Sequence, residues 1–411
     1  MLSASAMPRL PRREFVRQSA GLLALAALPS PLLAMTAPAS PAAPHPDAEL
    51  AGQPFPDLSF ELPVPPAERV GFALVGLGAF ALDNIAPSLP NTRLGRLAAL
   101  VSGNDAKRDA VGDAYGVAPE HRYGYDTFDR IADDPDVDVV YVITPNALHR
   151  GLVERAFAAG KHVLCEKPLA PTVEDCEAMI AAGERAGKQL MVAYRAQYDP
   201  YNLRAIELVQ GGEIGTVNTI MADHGRILDL SATRDRWRAR QELARGGSLF
   251  DIGIYSVNGA RYLTGEEPVE VTATYLERTG RPEVTVEEGV AWQLTFPSGV
   301  RALCSSSYLI DGNKRIHVQG SEGEVTLDPA TDYWIKHLTV TTGNEARAIT
   351  LPGFHQPQGS QFVRQLDEMA AAVRENRAPK TDGAEGLRDV RILRAIYQAA
   401  DTGRAVPLQP A

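Results

Sequence analysis

Three short runs in this chain carry residue types that could do redox chemistry on a small polar substrate. Gly76-Leu77-Gly78-Ala79-Phe80-Ala81 directly follows the apolar run Gly71–Val75. The first glycine permits a tight turn, the second lets backbone approach a pyrophosphate, and Ala81 is small enough for close helix packing. Orphan amides at the helix start behind this turn form an anion site. The motif, with a strand before it and strand–helix repeats after it, predicts dinucleotide binding at Gly76, Gly78, Ala79 and Phe80. Further on, Cys165-Glu166-Lys167-Pro168 follows another apolar run. A lysine at the carboxyl edge of a parallel sheet stands where such folds bind ligands, and its ammonium can polarise a carbonyl or stabilise an alkoxide. Finally, Asp251 and Tyr255 lie one helical turn apart after Gly246-Gly247, so both can face one cleft.

The second strand decides which dinucleotide is expected. It ends Val101-Ser102-Gly103-Asn104, with Lys107 and Arg108 a turn later. A hydroxyl, turn amides and a cation suit a 2′-phosphate, which a carboxylate would repel. NADP is therefore expected; the alternative is that Asp105 serves as an acidic ribose ligand and Lys107 is merely solvated. Beyond the fourth strand comes Thr144-Pro145-Asn146-Ala147-Leu148-His149. Pro145 ends the strand, and Asn146 is placed to cap the next helix while facing the cofactor. His149 joins the cofactor-binding set with Thr144, Pro145, Asn146, Glu166 and Lys167, in a structural more than a catalytic capacity.

These groups need elements to hold them. Apolar runs at Gly71–Val75, Leu97–Val101, Val137–Ile143 and His162–Leu164 read as buried parallel strands, with helices at Ala147–Ala159 and Val173–Ala186 between them. Strand–helix alternation predicts an α/β fold with an N-terminal Rossmann doubly wound sheet over residues 70–191. After Gln189 the pattern changes to strands joined by turns: Val217–Asp223, Val269–Glu277, Val290–Phe296, Gly299–Tyr308, Lys314–Gln319 and Glu324–Leu327. Residues 192–411 are thus expected to form an α+β domain with a large, mostly antiparallel sheet. Two helices, Gln361–Asn376 and Gly386–Thr402, close it and are placed to pack back on the first domain.

The ends and the composition bound the setting. Arg12-Arg13-Glu14-Phe15-Val16-Arg17, an apolar stretch from Ser19 to Leu28 and small residues after it have the order of a twin-arginine export signal over residues 1–34. The apolar core is well short of the roughly 20 residues that span a bilayer. Cleavage fits after Ala34 or after Ala39. Residues 35–69 are rich in proline, with Phe55, Leu58, Phe60 and Leu62 as apolar anchors; they read either as a linker or as an arm lying on a surface. With 41 basic and 51 acidic residues the net charge is −10, and the segment to Ala34 holds four arginines and one glutamate, leaving the rest near −13. Such a surface repels phosphate backbones and anionic lipid, which argues against nucleic acid or a membrane as partner. Cys165, Cys176 and Cys304 lack zinc spacing and a complete disulfide set, so packed thiols and no metal site are expected.

Taken with Val75–Gly78, Val101–Asn104, Asp199-Pro200, Gly246–Leu249, Asp251–Tyr255, Gly265–Pro268 and Asp328–Thr331, the Glu166-Lys167-Pro168 run resembles the glucose–fructose oxidoreductase, inositol dehydrogenase and rhizopine-catabolism (Gfo/Idh/MocA) superfamily, most of all its periplasmic glucose–fructose branch. The resemblance implies tightly bound NADP, neutral sugar substrates and a homotetramer or homodimer formed through the open sheet. It also implies catalytic roles for Lys167, Asp251 and Tyr255: the phenol moves a proton, Lys167 lowers its pKa, and Asp251 orients the sugar. Tyr194, Arg195 and Trp237 match cofactor or sugar contacts of that branch, and the proline-rich arm matches one that reaches towards a neighbour's adenine. Ala79 departs from the lysine of the branch. An exported enzyme cannot draw fresh nucleotide from solution, so the expected activity is a periplasmic, ping-pong coupling of aldose oxidation to reduction of a second sugar. Rival readings are an exported NAD(P)-dependent glycosidase of the same superfamily, a sugar dehydrogenase with exchangeable cofactor, and a cofactor-loaded sugar-binding protein.

Overall fold

The computed structural model describes residues 64–276, 280–351 and 360–409. The expected export signal and most of the arm lie outside the described residues. Of the arm, the last stretch forms a short 3-10 turn at Pro66–Glu68, with Arg69 Nε donating to the Val64 carbonyl at 2.8 Å.

Six parallel strands make the first sheet: β1 (Val70–Val75), β2 (Gly95–Val101), β3 (Arg122–Tyr123), β4 (Val139–Val142), β5 (His162–Glu166) and β6 (Leu190–Ala193), in the order β3-β2-β1-β4-β5-β6. This is the doubly wound order, with the crevice at the carboxyl ends of β1 and β4 where the order reverses. Every residue of β1, β4 and β6 is buried, as strands covered on both faces require. Because β6 runs to Ala193, the domain boundary drawn at 191 falls inside a strand and belongs beyond it. Helices α1 (Asp105–Tyr115), α2 (His149–Ala158) and α3 (Val173–Ala186) connect these strands. Asn104 caps α1 by accepting from the Lys107 amide, Thr172 caps α3, and left-handed Gly116 and Gly187 end them. The helix expected after Gly78 is only a short wide turn: the Ala86 amide reaches back to the Ala81 carbonyl, and Pro87 and Pro90 follow without amide hydrogens.

A nine-stranded sheet follows. Its strands are β7 (Val217–Gly225), β8 (Glu270–Tyr275), β9 (Gly289–Thr295), β10 (Arg301–Ser307), β11 (Lys314–Gly320), β12 (Gly323–Leu327), β13 (Leu338–Thr342), β14 (Glu345–Ile349) and β15 (Val406–Pro407), ordered β14-β13-β12-β11-β7-β10-β9-β8-β15. All neighbours are antiparallel except β7 and β10. The β13–β14 hairpin was not expected, because β14 has no buried face and hence no apolar alternation. Helices α4 (Pro200–Gln210) and α7 (Ile254–Thr264) lie against one face of this sheet, and two short helices, α5 (Thr233–Arg236) and α6 (Gln241–Ala244), stand in the excursion between β7 and α7. On the opposite face Leu303 is exposed, in register with exposed Thr272 on β8. Helix α8 (Gln361–Glu375) returns to the first sheet, where Phe362, Leu366 and Met369 share a core with Phe72 and Leu74. Before α9 (Gly383–Thr402), Thr381 exchanges two hydrogen bonds of 2.7 Å with the backbone of Val192. The three cysteines are free and buried, and among the described residues no helix is long and apolar enough to cross a membrane.

Candidate active site

The glycine turn stands at the carboxyl end of β1. Gly76 has φ +97°, and a Cβ there would lie 2.5 Å from the Ile143 carbonyl oxygen, so only glycine fits. Gly78 is exposed, and a Cβ built on it meets nothing within 4 Å. The space that a side chain would fill is the cradle that a pyrophosphate needs, and Ala79 opens the short turn behind it. Phe80 turns its ring away into an aromatic cluster with Tyr333 and Phe362, at centroid distances of 6.2 and 5.8 Å. At the end of β2, Ser102 is buried and its Oγ accepts from the Asn104 amide at 3.2 Å, with Gly103 exposed between them. Lys107 extends its ammonium back over the glycine turn to the Leu77 carbonyl, 3.2 Å away. Asp105, the acidic alternative, is paired with Arg108 at 2.9 Å. A serine, an exposed glycine and a cation beside the turn fit a phosphorylated ribose, so the chain has a place for a dinucleotide.

After β4, the Thr144 carbonyl and the backbone of Pro168 and Leu169 surround the imidazole of His149. Its Nε2 lies 3.0 Å from Thr144 O, and its Nδ1 lies 3.1 and 3.2 Å from the other two carbonyls. Fully buried, with its pKa lowered by that burial, His149 braces the loop beneath Lys167 and does not face a ligand. Asn146 does not cap α2 either: its amide donates to the Ala244 carbonyl at 2.7 Å and ties the β4 loop to α6, while Pro145 takes the position before the helical turn. Tyr194 is also placed apart from the cleft, buried in the core near Asp389 and Arg261.

The reacting groups converge from three elements. Lys167 follows β5, and its ammonium donates to the Asp251 carbonyl, lies 4.0 Å from Asp251 Oδ1 and sits 4.7 Å from the centroid of the Tyr255 ring. Glu166 beside it accepts from the Tyr141 hydroxyl at 2.6 Å, which in turn accepts from Gln365 at 3.1 Å, and burial raises its carboxyl pKa. Asp251 stands in a wide π-turn, Leu249–Gly253, and Tyr255 in the first turn of α7. Arg195 stacks between two rings, 4.8 Å from Tyr255 and 4.5 Å from Tyr333, held by Gln361 Oε1 and the Thr331 carbonyl.

Electrostatics divide the work. Burial tends to neutralise Asp251, but Arg238, Lys167 and Arg226 together hold its carboxyl well below the usual range, so it is a carboxylate. Arg238 Nε and Arg226 lie 3.2 and 3.3 Å from its Oδ2, and Arg226 also binds Asp235. Trp237 is half-buried beneath the Arg238 guanidinium, 4.5 Å away, so it braces a cation that grips Asp251. Burial raises the Tyr255 phenol above its ordinary value, and the leading opposing influence is the Arg195 guanidinium. The expected lowering by Lys167 is thus corrected in both direction and agent. His224 stacks on Tyr255 at 5.8 Å, between Ser256 Oγ and Thr331 Oγ1 at 2.8 and 2.9 Å, and burial drives its pKa down to about 3.

Sequence reasoning missed Arg226, His224 and Tyr333 and gave Arg238 no role. A polar His224-Gly225-Arg226 ending an apolar strand was the available signal for two of them. Tyr333 has no local signature, since only its contact with Arg195 and Phe80 brings it to the cleft.

Residues 70–194 match a family model described as oxidoreductase family, NAD-binding Rossmann fold, and residues 206–408 match its companion, the C-terminal alpha/beta domain. A D-xylose 1-dehydrogenase (NADP(+)) of Haloarcula marismortui is 32% identical over 344 residues, covering 82% of this chain and 93% of that protein. An inositol 2-dehydrogenase of Rhizobium meliloti is 29% identical over 330 residues, 77% of this chain and 96% of the relative. The crystal structure of an aldose-aldose oxidoreductase from Caulobacter crescentus, complexed with glycerol, superposes with a TM-score of 0.79 at 47% identity, over 83% of this chain and all of the other. With both domains matched, and with a glycine turn facing a Lys167–Asp251–Tyr255 cleft, the chain belongs to the Gfo/Idh/MocA oxidoreductase family.

Proposed function

We propose that the protein is a periplasmic sugar oxidoreductase that retains NADP and couples oxidation of an aldose to its lactone with reduction of a second sugar to a polyol. The observation that carries this reading is the convergence of Lys167, Asp251 and Tyr255 in one cleft, joined to the glycine turn through the ring contacts Phe80–Tyr333 and Tyr333–Arg195–Tyr255. Gly76, Gly78 and Ala79 would hold the pyrophosphate, and Ser102, Gly103 and Lys107 the 2′-phosphate. The nucleotide, when bound, supplies the hydride acceptor and donor. Tyr255, a neutral phenol at rest, gives its proton to the carbonyl oxygen of the sugar being reduced and regains one from the hydroxyl of the sugar being oxidised. Arg195 and Lys167, on the same ring, stabilise the phenolate between those events. Asp251, kept ionised by three cations, accepts from a sugar hydroxyl and fixes the ring's orientation. The export signal, a 47% identical structure named for aldose–aldose chemistry and the NADP-dependent xylose relatives support this reading. Asp105 is engaged with Arg108, which supports NADP over NAD. The open sheet face bearing exposed Leu303, Thr272 and Thr274 suits a homodimer or homotetramer.

The test is mass spectrometry of the purified, denatured protein, followed by neutral sugars offered in pairs. Stoichiometric NADP or NADPH and parallel double-reciprocal lines are expected. A nucleotide-free protein active only on added NADP overturns the retained-cofactor reading, and aglycone release from an aryl glycoside would favour a glycosidase.

A further inference from the structure

Asp251 and Tyr255 stand on one continuous helical stretch whose start is closed from outside. The Gly247 amide donates to Glu287 Oε2 at 2.6 Å, the Leu249 amide to Oε1 at 2.8 Å, and the Ser248 amide between them to the Glu287 carbonyl at 3.3 Å. Three successive amides at a helix start are thus spent on one glutamate from the loop before β9; burial pushes its carboxyl up to about 7, while these amides and the dipole of the stretch favour the charged form. The glutamate is itself held by the Tyr397 hydroxyl of α9 at 3.0 Å. A Cβ on Gly247 would lie 1.9 Å from the Glu287 carbonyl oxygen, which explains why glycine is needed where the two segments meet. From the same turn, the Asp251 amide donates to the Gly247 carbonyl at 3.0 Å, so any movement of residues 247–249 is passed directly to Asp251. Among the described residues no other side chain bonds to both ends of this turn, and Ser248 Oγ meets Ser306 Oγ at 3.0 Å.

We propose that Glu287 is a positioning residue for the reaction, clamping the start of the helical stretch so that Asp251 and Tyr255 hold their places against Lys167. It touches none of the three, and it acts through backbone alone. The inference rests on the oxidoreductase reading for its kinetic consequence but not for its structural one. A carboxylate accepts at both oxygens, whereas the amide of glutamine turns an NH2 group against one of the two backbone donors. In Glu287→Gln, kcat for the sugar pair is expected to fall by about tenfold to a hundredfold, the scale of an ångström's misplacement of reacting groups. The nucleotide dissociation constant is expected to stay that of the parent, because the cradle lies on another element. Hydrogen exchange followed by mass spectrometry is expected to show faster exchange in a peptide spanning residues 247–255, with β1 and α8 unchanged. A folded Glu287→Gln variant with parental kcat, or with parental protection over 247–255, overturns the proposal. If the parent turns over no sugar, the functional reading fails by itself, and the exchange measurement still judges the clamp.

Discussion

Gly78→Ala separates the nucleotide cradle from the fold. The added Cβ meets no atom within 4 Å, and the φ of Gly78 lies outside the left-handed range, so the folded protein loses nothing sterically. Replacing glycine at a compatible position restricts the unfolded chain, and stability should rise by about 0.4–1 kcal/mol if it changes at all. The methyl group instead occupies the space where a pyrophosphate must approach backbone amides. A hydrogen bond to a charged group is worth about 1.5–3 kcal/mol, so losing one weakens nucleotide binding by roughly tenfold to a hundredfold. Gly76→Ala is the contrast: with φ +97° and a 2.5 Å clash against Ile143, it must damage the fold itself. Urea unfolding measures stability, and titration of nucleotide-stripped protein with NADP measures affinity. Undiminished NADP affinity in Gly78→Ala, or affinity lost only in step with stability, would refute the cradle.

Three further outcomes are expected. Tyr255→Phe keeps the ring between Lys167 and Arg195 but removes the transferable proton, so kcat should fall by about 10²–10⁴ with melting temperature and nucleotide content unchanged; retained turnover would exclude Tyr255 as the acid–base group. Lys107→Ala should weaken NADP by roughly tenfold to a hundredfold and leave NAD almost untouched, and equal losses for both would remove Lys107 from the 2′-phosphate site. His224 has a folded pKa of about 3, below the ordinary histidine value of 6.5, so the unfolded chain binds its proton more tightly between those values. Its contribution is therefore complete above pH 6.5 and lost as pH falls towards 3, by up to about 1.4 kcal/mol per pH unit. Denaturant titrations across that window should give a flatter profile for His224→Gln than for the parent; parallel profiles would contradict the buried neutral imidazole.

Legibility differed between the parts of the molecule. The sheet strands β1, β2, β4 and β5 could be read because burial on both faces demands unbroken apolar runs, and α3 because its caps, Thr172 and Gly187, bracket an amphipathic repeat. Strand β14 could not, since an edge exposed at all but Ile349 places almost no demand on side-chain pattern. Gly76 and Gly78 were recognisable from local backbone requirements. Asn146 was placed towards the cleft by local reasoning and Tyr194 by the family resemblance, while their actual neighbours, Ala244 and Asp389, come from far along the chain.

What the chain's order of residues determined alone was whatever depends on short-range geometry: the glycine turn, the apolar strands, the position of Lys167 after β5, and the spacing of Asp251 and Tyr255. Tertiary packing decided the charge states and the supports. Arg226, Arg238 and Lys167 reach Asp251 from three separate elements, Arg195 comes to Tyr255 from the end of β6, and Glu287 closes the 247–249 turn from another loop. Coulomb interactions and desolvation fall off with distance through space, not along the chain, so a residue's ionisation and aim are settled only when remote segments meet.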